Sequence, residues 1–392
     1  MSYKWDGRDY FALLKEWRRR RDFTNRLWLD TKTIKADPVK NNAGVIGNVS
    51  KSYKDKDPGI YTLQGVYNSK SAPAAGGGAL SSFLFLPIVA KGSPTGPSSA
   101  QITSAYPAAP FAISQGRFQG YQRWTVPTTG TYEFDIGGAG GGYGDTGYAG
   151  QLSYTALGGT YGARIVFTAS LTAGDVIDIV VGVQGGSSGG AHGNENGGGG
   201  ATWVVNVTTN TLLGCAGGGG GLPGANYGTS CLRNATTLAF GHGSDLTVPG
   251  YGGCSGSPTV PSAGQGGTGT GTYYGGAGGG WLSDGANGRT HCSLAYGGKG
   301  YFNGLVGGAG NTCYNPDNKG GFGGGGGGQL GGPGCGGGFT GGRSRSSWSS
   351  QSTYGGGGGS YVNPACTVVS KTLGGNTGTI GGQLYAGYCQ MN

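Results

Sequence analysis

The side chains that could perform acid–base or nucleophilic chemistry are few and widely spaced in this 392-residue sequence. General acid–base catalysis needs two groups within hydrogen-bond reach of one substrate. After residue 130 no two carboxylates have the spacing of such a pair, and the three histidines stand in glycine-rich sequence without a carboxylate at motif spacing. The carboxylates are Glu133, Asp135, Asp145, Asp175, Asp178, Glu195, Asp245, Asp284 and Asp317, and the histidines are His192, His242 and His291. We therefore predict a protein that is not an enzyme and that uses no cofactor or metal.

The cysteines are the other reactive side chains, and all eight lie in the second half of the chain without a Cys-x-x-Cys pair. Their even number and the scarcity of histidine favour disulfides over a zinc site, and disulfides imply an oxidising final location. The candidate disulfide cysteines are Cys215, Cys231, Cys254, Cys292, Cys313, Cys335, Cys366 and Cys389. The sequence does not determine how they pair.

The first residues do not resemble a secretion signal. Met1–Gly7 has no basic region followed by an apolar one, and the longest apolar run, Phe83–Ala90, is far shorter than the roughly 18 residues of a membrane span. A protein made in a cytoplasm but suited to an oxidising exterior is expected in a virus particle released by lysis.

Two loops combine aromatic residues with serine, glycine and arginine, which is the composition of adaptable binding loops. They are Gly271–Gly275 and Ser344–Tyr354. Aromatic rings also stack on sugars, so the expected partner is a glycan or protein on a host cell surface. The alternative is that the rings cap the glycine tracts and are buried against them. The candidate receptor-binding residues are Tyr273, Tyr274, Trp281, Arg343, Arg345, Trp348 and Tyr354.

The element that must position these loops is the glycine-rich stretch from Gly137 to Gly359, in a chain with 95 glycines and only 11% charged residues. One interpretation is a disordered linker. The other is an ordered lattice of extended three-residue helices, whose backbone groups point toward neighbours and which pack closely because glycine has no Cβ. Repeated large residues such as Trp203, Phe322 and Tyr361 favour the ordered lattice. The absence of a strict Gly-X-Y repeat excludes a collagen helix.

The composition divides the chain into four parts. We predict an N-terminal basic amphipathic helix and anchor over 1–57, an extended connector over 58–116, a glycine-rich β module over 117–370 and a C-terminal strand or tail over 371–392. More than half of the 26 Lys and Arg residues precede residue 58, and the glycine-rich part is near neutral, so no nucleic-acid partner is expected there.

The predicted helix runs from Asp9, as N-cap, to about Leu29. Its apolar stripe and basic block favour docking onto another protein, with membrane-surface or nucleic-acid contact as the alternatives. The candidate virion-anchoring residues are Tyr10, Leu13, Leu14, Trp17, Arg18, Arg19, Arg20, Arg21 and Trp28.

Short runs of β-branched and aromatic residues separated by turn residues predict antiparallel strands. The fold class is therefore mainly β, an antiparallel β-sandwich of the jelly-roll type with the glycine tracts inserted between strands. The predicted strands are Tyr121–Val126, Thr131–Ile136, Gly162–Thr168, Val176–Gly182, Thr202–Val207 and Ala365–Lys371.

The order of several motifs over about 117–362 resembles the glycine-rich domain of the anaplastic lymphoma kinase and leukocyte tyrosine kinase receptors. The motifs are Trp124–Pro127, Gly130–Tyr132, Gly137–Gly142, Gly174–Asp175, Val180–Gly185, Gly197–Val204, Leu212–Gly221, Gly275–Trp281, Gly320–Gly325 and Gly355–Tyr361. The resemblance implies a tumour-necrosis-factor-like β-sandwich with polyglycine II helices in a hexagonal lattice. The cytokine-binding residues of that family have no counterparts here. In composition the chain is also similar to the tail-fibre-tip adhesins of tailed bacteriophages.

These observations lead us to expect a virion structural protein, a tail-fibre or spike component acting as a host-recognition adhesin. Its N-terminal segment would contact other virion proteins, and it would form a homotrimer by analogy with fibres. A capsid decoration or cement protein without receptor binding is the main alternative. A surface enzyme, such as a glycan depolymerase, is a third.

Overall fold

The computed structural model describes residues 4–5, 8–9, 82–142, 161–187, 196–221, 262–271, 274–288, 294–310, 318–329, 332–347, 350–376, 379–380, 383–384 and 386–392. The chain divides into two compact units, Met1–Asn68 and Ser69–Asn392. In the first unit the described residues form one antiparallel strand pair, in which Lys4 is opposite Asp9 and Trp5 is opposite Arg8. Asp9, the predicted N-cap, is the last residue of this pair, and the rest of the predicted helix and all candidate anchoring residues lie outside the described residues.

The described secondary structure is almost entirely β, with one α-helix, α1 (Ser99–Ala105). The strands are β1 (Lys4–Trp5), β2 (Arg8–Asp9), β3 (Phe83–Phe85), β4 (Ile113–Gln115), β5 (Tyr121–Thr125), β6 (Gly130–Gly137), β7 (Gly162–Leu171), β8 (Val176–Val180), β9 (Thr202–Asn206), β10 (Thr211–Ala216), β11 (Gly269–Gly271), β12 (Ser344–Ser347), β13 (Ser350–Gly355), β14 (Tyr361–Val362), β15 (Thr367–Asn376), β16 (Thr379–Ile380), β17 (Gln383–Leu384) and β18 (Tyr388–Met391).

Two antiparallel sheets form the body of the second unit. The six-stranded sheet has the order β14-β10-β9-β8-β5-β4, and the five-stranded sheet has the order β15-β7-β6-β18-β3. The prediction of a mainly β, antiparallel fold is confirmed, and each predicted strand overlaps an observed one.

One hydrophobic cluster joins the two sheets. The five-stranded sheet contributes Phe134 and Phe167, whose rings stack with centroids 5.4 Å apart, and the six-stranded sheet contributes Trp124, Ile177 and Ile179. Alternate residues of each strand enter this cluster because side chains of a β-strand point to opposite faces in turn. The arrangement is consistent with a β-sandwich.

The outer face of the six-stranded sheet is also buried. A second cluster joins residues of this sheet, including Tyr121 and Trp203, to Tyr301, Leu305 and Phe322 from the glycine-rich part. Strand β9 is accordingly buried at every position. The sheet thus lies between the five-stranded sheet and the glycine-rich part.

The predicted connector joins this body from residue 82 onward. Strand β3 pairs with β18. Helix α1 buries Ile102, and its N-cap residue Ser98 forms a capping box with Gln101. The predicted C-terminal tail likewise contains β18, which lies between β6 and β3. Strand β3 is fixed at the edge of this sheet because Phe83 and Phe85 pack against the hydrophobic core to which β18 also contributes.

The glycine-rich segments are ordered by backbone hydrogen bonds to one another. Segment 196–201 bonds to six other segments, whereas a β-strand has at most two bonded neighbours in its sheet. These neighbours are 138–142, 183–186, 217–221, 319–322, 323–328 and 334–338. The disordered-linker alternative does not describe these segments.

The bonds between neighbouring segments recur every third residue. Gly198 N–H donates to the carbonyl of Gly326 and Ala201 N–H to that of Gly323, each at 2.9 Å. The chain reverses direction after 319–322 through a turn in which Gly323 and Gly324 have φ of 105° and 86°. Only glycine adopts such angles without strain.

Candidate functional site

The segment 275–280 separates two of the predicted receptor-binding residues, because Tyr274 precedes it and Trp281 follows it. Trp281 belongs to the end that packs against the six-stranded sheet, which we call the sheet end. Tyr274 belongs to the opposite end, which we call the distal end. Extended backbone spans at most about 3.3–3.6 Å per residue, so the seven-residue step from Tyr274 to Trp281 covers at most about 25 Å.

Trp281 at the sheet end is packed against other rings. Its ring stacks on Tyr301 with centroids 4.5 Å apart and on Trp203 at 6.2 Å, and Phe302 lies at 5.0 Å. This arrangement corresponds to the alternative in which the rings cap the glycine tracts. Burial raises the pKa of Tyr301 and of its neighbour Tyr121, so both phenols stay neutral.

The distal end carries a small three-stranded sheet made of β11, β12 and β13. Strand β12 pairs in parallel with β11 and antiparallel with β13, and Arg345 is the register partner of both Thr270 and Tyr354. The structure therefore places the predicted residues Arg345 and Tyr354 at opposite register positions of one strand pair, while Tyr273 and Trp348 lie outside the described residues.

Two further predicted residues lie beside this sheet. Arg343 is buried, and its Nε donates to Thr268 Oγ1 at 3.2 Å, which anchors the start of β12. The ring of Tyr274 lies over Gly269, where a Cβ would overlap it. Both residues therefore help to hold the sheet in place.

A polar cluster at the sheet end was missed by the sequence analysis. Asp284 accepts hydrogen bonds from Lys299 Nζ, Asn303 Nδ2 and the Gly300 N–H, each at 2.8 Å. Partial burial alone would raise the pKa of Asp284, but these donors outweigh it and hold the pKa below its ordinary value. Asp284 is therefore a fixed carboxylate that orients its neighbours.

Two other carboxylates are held in ion pairs within the sheets. The carboxylate of Asp178 accepts hydrogen bonds from both Nε and Nη2 of Arg123, at 2.7 and 2.9 Å. The carboxylate of Asp135 likewise accepts two hydrogen bonds from the guanidinium of Arg164, and it also accepts one from the hydroxyl of Tyr388 at 2.9 Å. These bonds connect β18 to β6 and β7. These contacts assign Asp135 and Asp178 to structural roles.

The disulfide prediction is wrong for the four cysteines that the structure describes. Cys215, Cys335, Cys366 and Cys389 are free thiols. Cys215 lies in the cluster on the outer face of the six-stranded sheet, and Cys389 in the core between the sheets. Cys215 and Cys389 fill apolar space as small side chains, which free cysteine commonly does. Cys231, Cys254, Cys292 and Cys313 lie outside the described residues.

Burial raises the pKa of these thiols. It raises the pKa of Cys335 to about 12, and those of Cys215, Cys366 and Cys389 also lie above the ordinary value for the same reason. A thiol with a raised pKa is a poor nucleophile and a poor metal ligand near neutral pH.

Within the described ranges, which include none of the three histidines, no three His, Cys, Asp or Glu side chains are grouped to hold a metal ion. The described residues also include no helix long and apolar enough to cross a bilayer.

No protein-family model and no curated protein sequence matches the chain. The candidate site is the distal sheet formed by β11, β12 and β13.

Proposed function

We propose that this chain is an outer structural protein of a virus particle, a tail-fibre or spike component that recognises the host surface through its distal end. The observation that carries the proposal is the position of β11, β12 and β13 at the end of a block of hydrogen-bonded glycine segments, opposite the sheet end. Arg345 and Tyr354 therefore occupy strand positions remote from the β body.

We infer that the glycine block is a lattice of polyglycine II helices. Bonds at every third residue fit a helix of three residues per turn, and six bonded neighbours fit hexagonal packing. A lattice held by mutual backbone bonds is rigid, because opening one segment breaks bonds to several others at once. Rigidity and resistance to proteases suit a module that projects from a particle.

The remaining parts of the proposal follow from the sequence. The body would be a tumour-necrosis-factor-like or jelly-roll sandwich, as the resemblance to the receptor family implies. The basic N-terminal segment would attach the protein to other virion proteins, and the protein would act as a trimer on the particle. The target is a glycan or protein of the host cell surface.

The test is binding of the fluorescently labelled full chain to intact candidate host cells. The full chain is needed because β3 and α1 belong to the body. A variant with residues 344–354 replaced by Gly and Ser should lose at least about tenfold in affinity, since a few aromatic and arginine residues dominate recognition. Val369→Ala, an exposed change on β15, serves as the control and should bind like the wild type.

Equal binding of the loop variant and the wild type would contradict recognition by the distal end. A folded wild-type protein that binds particles but no host cell would favour the capsid decoration function. Release of oligosaccharides from host polysaccharide by the purified chain would indicate a surface enzyme.

A further inference from the structure

Three glycine-rich segments form an outer layer of the lattice, which we call the lateral face: residues 284–288, 294–300 and 304–310. The N–H groups of Gly285 and Gly288 donate to the carbonyls of Gly298 and Ala295, respectively, and these bonds join the first segment to the second. Tyr296 and Lys299 donate to Ala309 and Val306, which joins the second to the third.

The middle segment of the lateral face also bonds to two segments beneath it. Gly298 N–H donates to Ala277 in segment 275–280, and Gly327 in segment 323–328 donates to Tyr296. Four of the described segments therefore bond to segment 294–300. Exposed side chains recur at every third residue, at Tyr296 and Lys299 in this segment and at Val306 and Ala309 in the neighbouring segment.

Tyr296 is the prominent side chain of the lateral face and is 48% exposed. In the part of the chain that the structure describes, its ring contacts no other aromatic ring and its hydroxyl has no hydrogen-bond partner. Leu294 and Val306 are 46% and 36% exposed beside it. A phenol ring on a rigid backbone presents an apolar face and a polar tip at a small cost in conformational entropy.

The polar groups of the lateral face are already fixed. Asp284 accepts hydrogen bonds from Lys299 and Asn303. Asn287 Oδ1 accepts a hydrogen bond at 3.1 Å from the N–H of Gly297, the residue that follows Tyr296. Asp284 and Lys299 are the only charged residues in the three segments, and they pair at 2.8 Å. The face is therefore electrically balanced and favours a neutral ligand.

We propose that the lateral face binds a neutral glycan strand. One sugar ring stacks on Tyr296, and hydroxyls of neighbouring sugars bond to Asn287 and to the cluster of Asp284, Lys299 and Asn303. The intervening glycines let the strand approach the backbone, and fixed partners reduce the entropy cost of binding. This inference rests on the proposed function in that the glycan belongs to a host surface.

The test is binding of the full chain to an array of neutral oligosaccharides built from hexoses and N-acetylhexosamines. Tyr296→Ala should lower binding at least about tenfold, and Tyr296→Phe should stay within about threefold because the ring is retained. Val369→Ala is the control for an exposed position away from the face and should not change binding. Each variant is first checked for an unchanged unfolding midpoint.

Two results would overturn the inference: wild-type protein that binds no array member, or a Tyr296→Ala variant that binds as strongly as the wild type. A change of oligomeric state in Tyr296→Ala, seen by sedimentation, would instead assign the face to a second copy of the chain. Cell binding of the 344–354 variant tests the proposed function separately, so failure of the proposed function is distinguished from failure of glycan binding at the lateral face.

Discussion

Trp281 and Tyr301 stack with their ring centroids 4.5 Å apart and their planes inclined by 28°. Trp281 follows the segment 275–280, and Tyr301 follows 294–300 and donates its N–H to the carbonyl of Gly280. This ring contact thus joins the ends of two hydrogen-bonded glycine segments, and the Trp281 ring also packs against Trp203 of β9.

Replacing Trp281 should therefore affect stability more than recognition. We expect Trp281→Ala to lower the free energy of unfolding by about 3 kcal/mol, the lower end of the range for large aromatic residues because Trp281 is partly exposed. Denaturant unfolding followed by circular dichroism measures the change. Leu282→Ala, at the next and 54% exposed position, is the matched control and should cost less than about 0.5 kcal/mol. Equal costs for the two variants would contradict the packing role of Trp281.

The lattice interior should reject even one methyl group. A Cβ at Gly198 would overlap the carbonyl oxygen of Cys335, which is backbone and has no rotamer by which to move away. We expect Gly198→Ala to cost at least about 3 kcal/mol, the upper end of the usual overpacking range. In Gly130→Ala the new Cβ meets only Tyr132 Cε2, at 3.9 Å, so its unfolding midpoint should stay near that of the wild type. A tolerated Gly198→Ala would argue against close packing of segment 196–201.

The cluster around Asp284 should contribute a pH-dependent part of stability. Because the pKa of Asp284 is held below its ordinary value of 3.8, its contribution is present above that pH and is lost as the pH falls through the lower, folded-state value. Asp284→Asn should be less stable than the wild type from pH 7 to about 5, by less than about 1 kcal/mol for so exposed a pair. The difference should shrink below about pH 4. A difference that stays constant down to pH 2 would exclude the ionised carboxylate as its source.

The four described thiols should differ in reactivity according to burial. Native protein treated with iodoacetamide should be modified at half-buried Cys366 before Cys215, Cys335 and Cys389, which are fully buried and have raised pKa values. Denaturant should make all four equally reactive. Peptide mass spectrometry gives the order of labelling, and a disulfide-linked peptide containing any of the four would contradict the structure.

The strands that could be predicted were those with a local signal. Thr131–Ile136 alternates between apolar and polar residues over a full strand, and the structure places it within β6. Strand β18 has only four residues, and its partners in β3 and β6 are remote in sequence, so no local pattern revealed its place inside the five-stranded sheet. A lone cysteine likewise carries no local sign of whether it is a core thiol or half of a disulfide, as Cys389 illustrates.

The candidate site was predicted in part for a similar reason. Tyr274 and Trp281 are close in sequence, but an extended segment places them at opposite ends of the lattice. Tyr296 is exposed because side chains in this glycine segment point outward at every third residue. A three-residue period matches neither the two-residue alternation of a strand nor the apolar stripe of a helix, so the sequence pattern did not reveal it. The composition of Ser344–Tyr354 is typical of binding loops, and its role in recognition stays a prediction.

The six-neighbour packing of segment 196–201 also constrains how the gene can diverge. At interior positions such as Gly198 only glycine fits, so most substitutions that change the amino acid there would be eliminated in any descendant. Exposed positions of the lateral face, such as Val306, lack this constraint. We therefore expect lineages of this protein to keep a nearly invariant lattice interior while exposed positions diversify, so that recognition, under the proposed function, would change without a new fold.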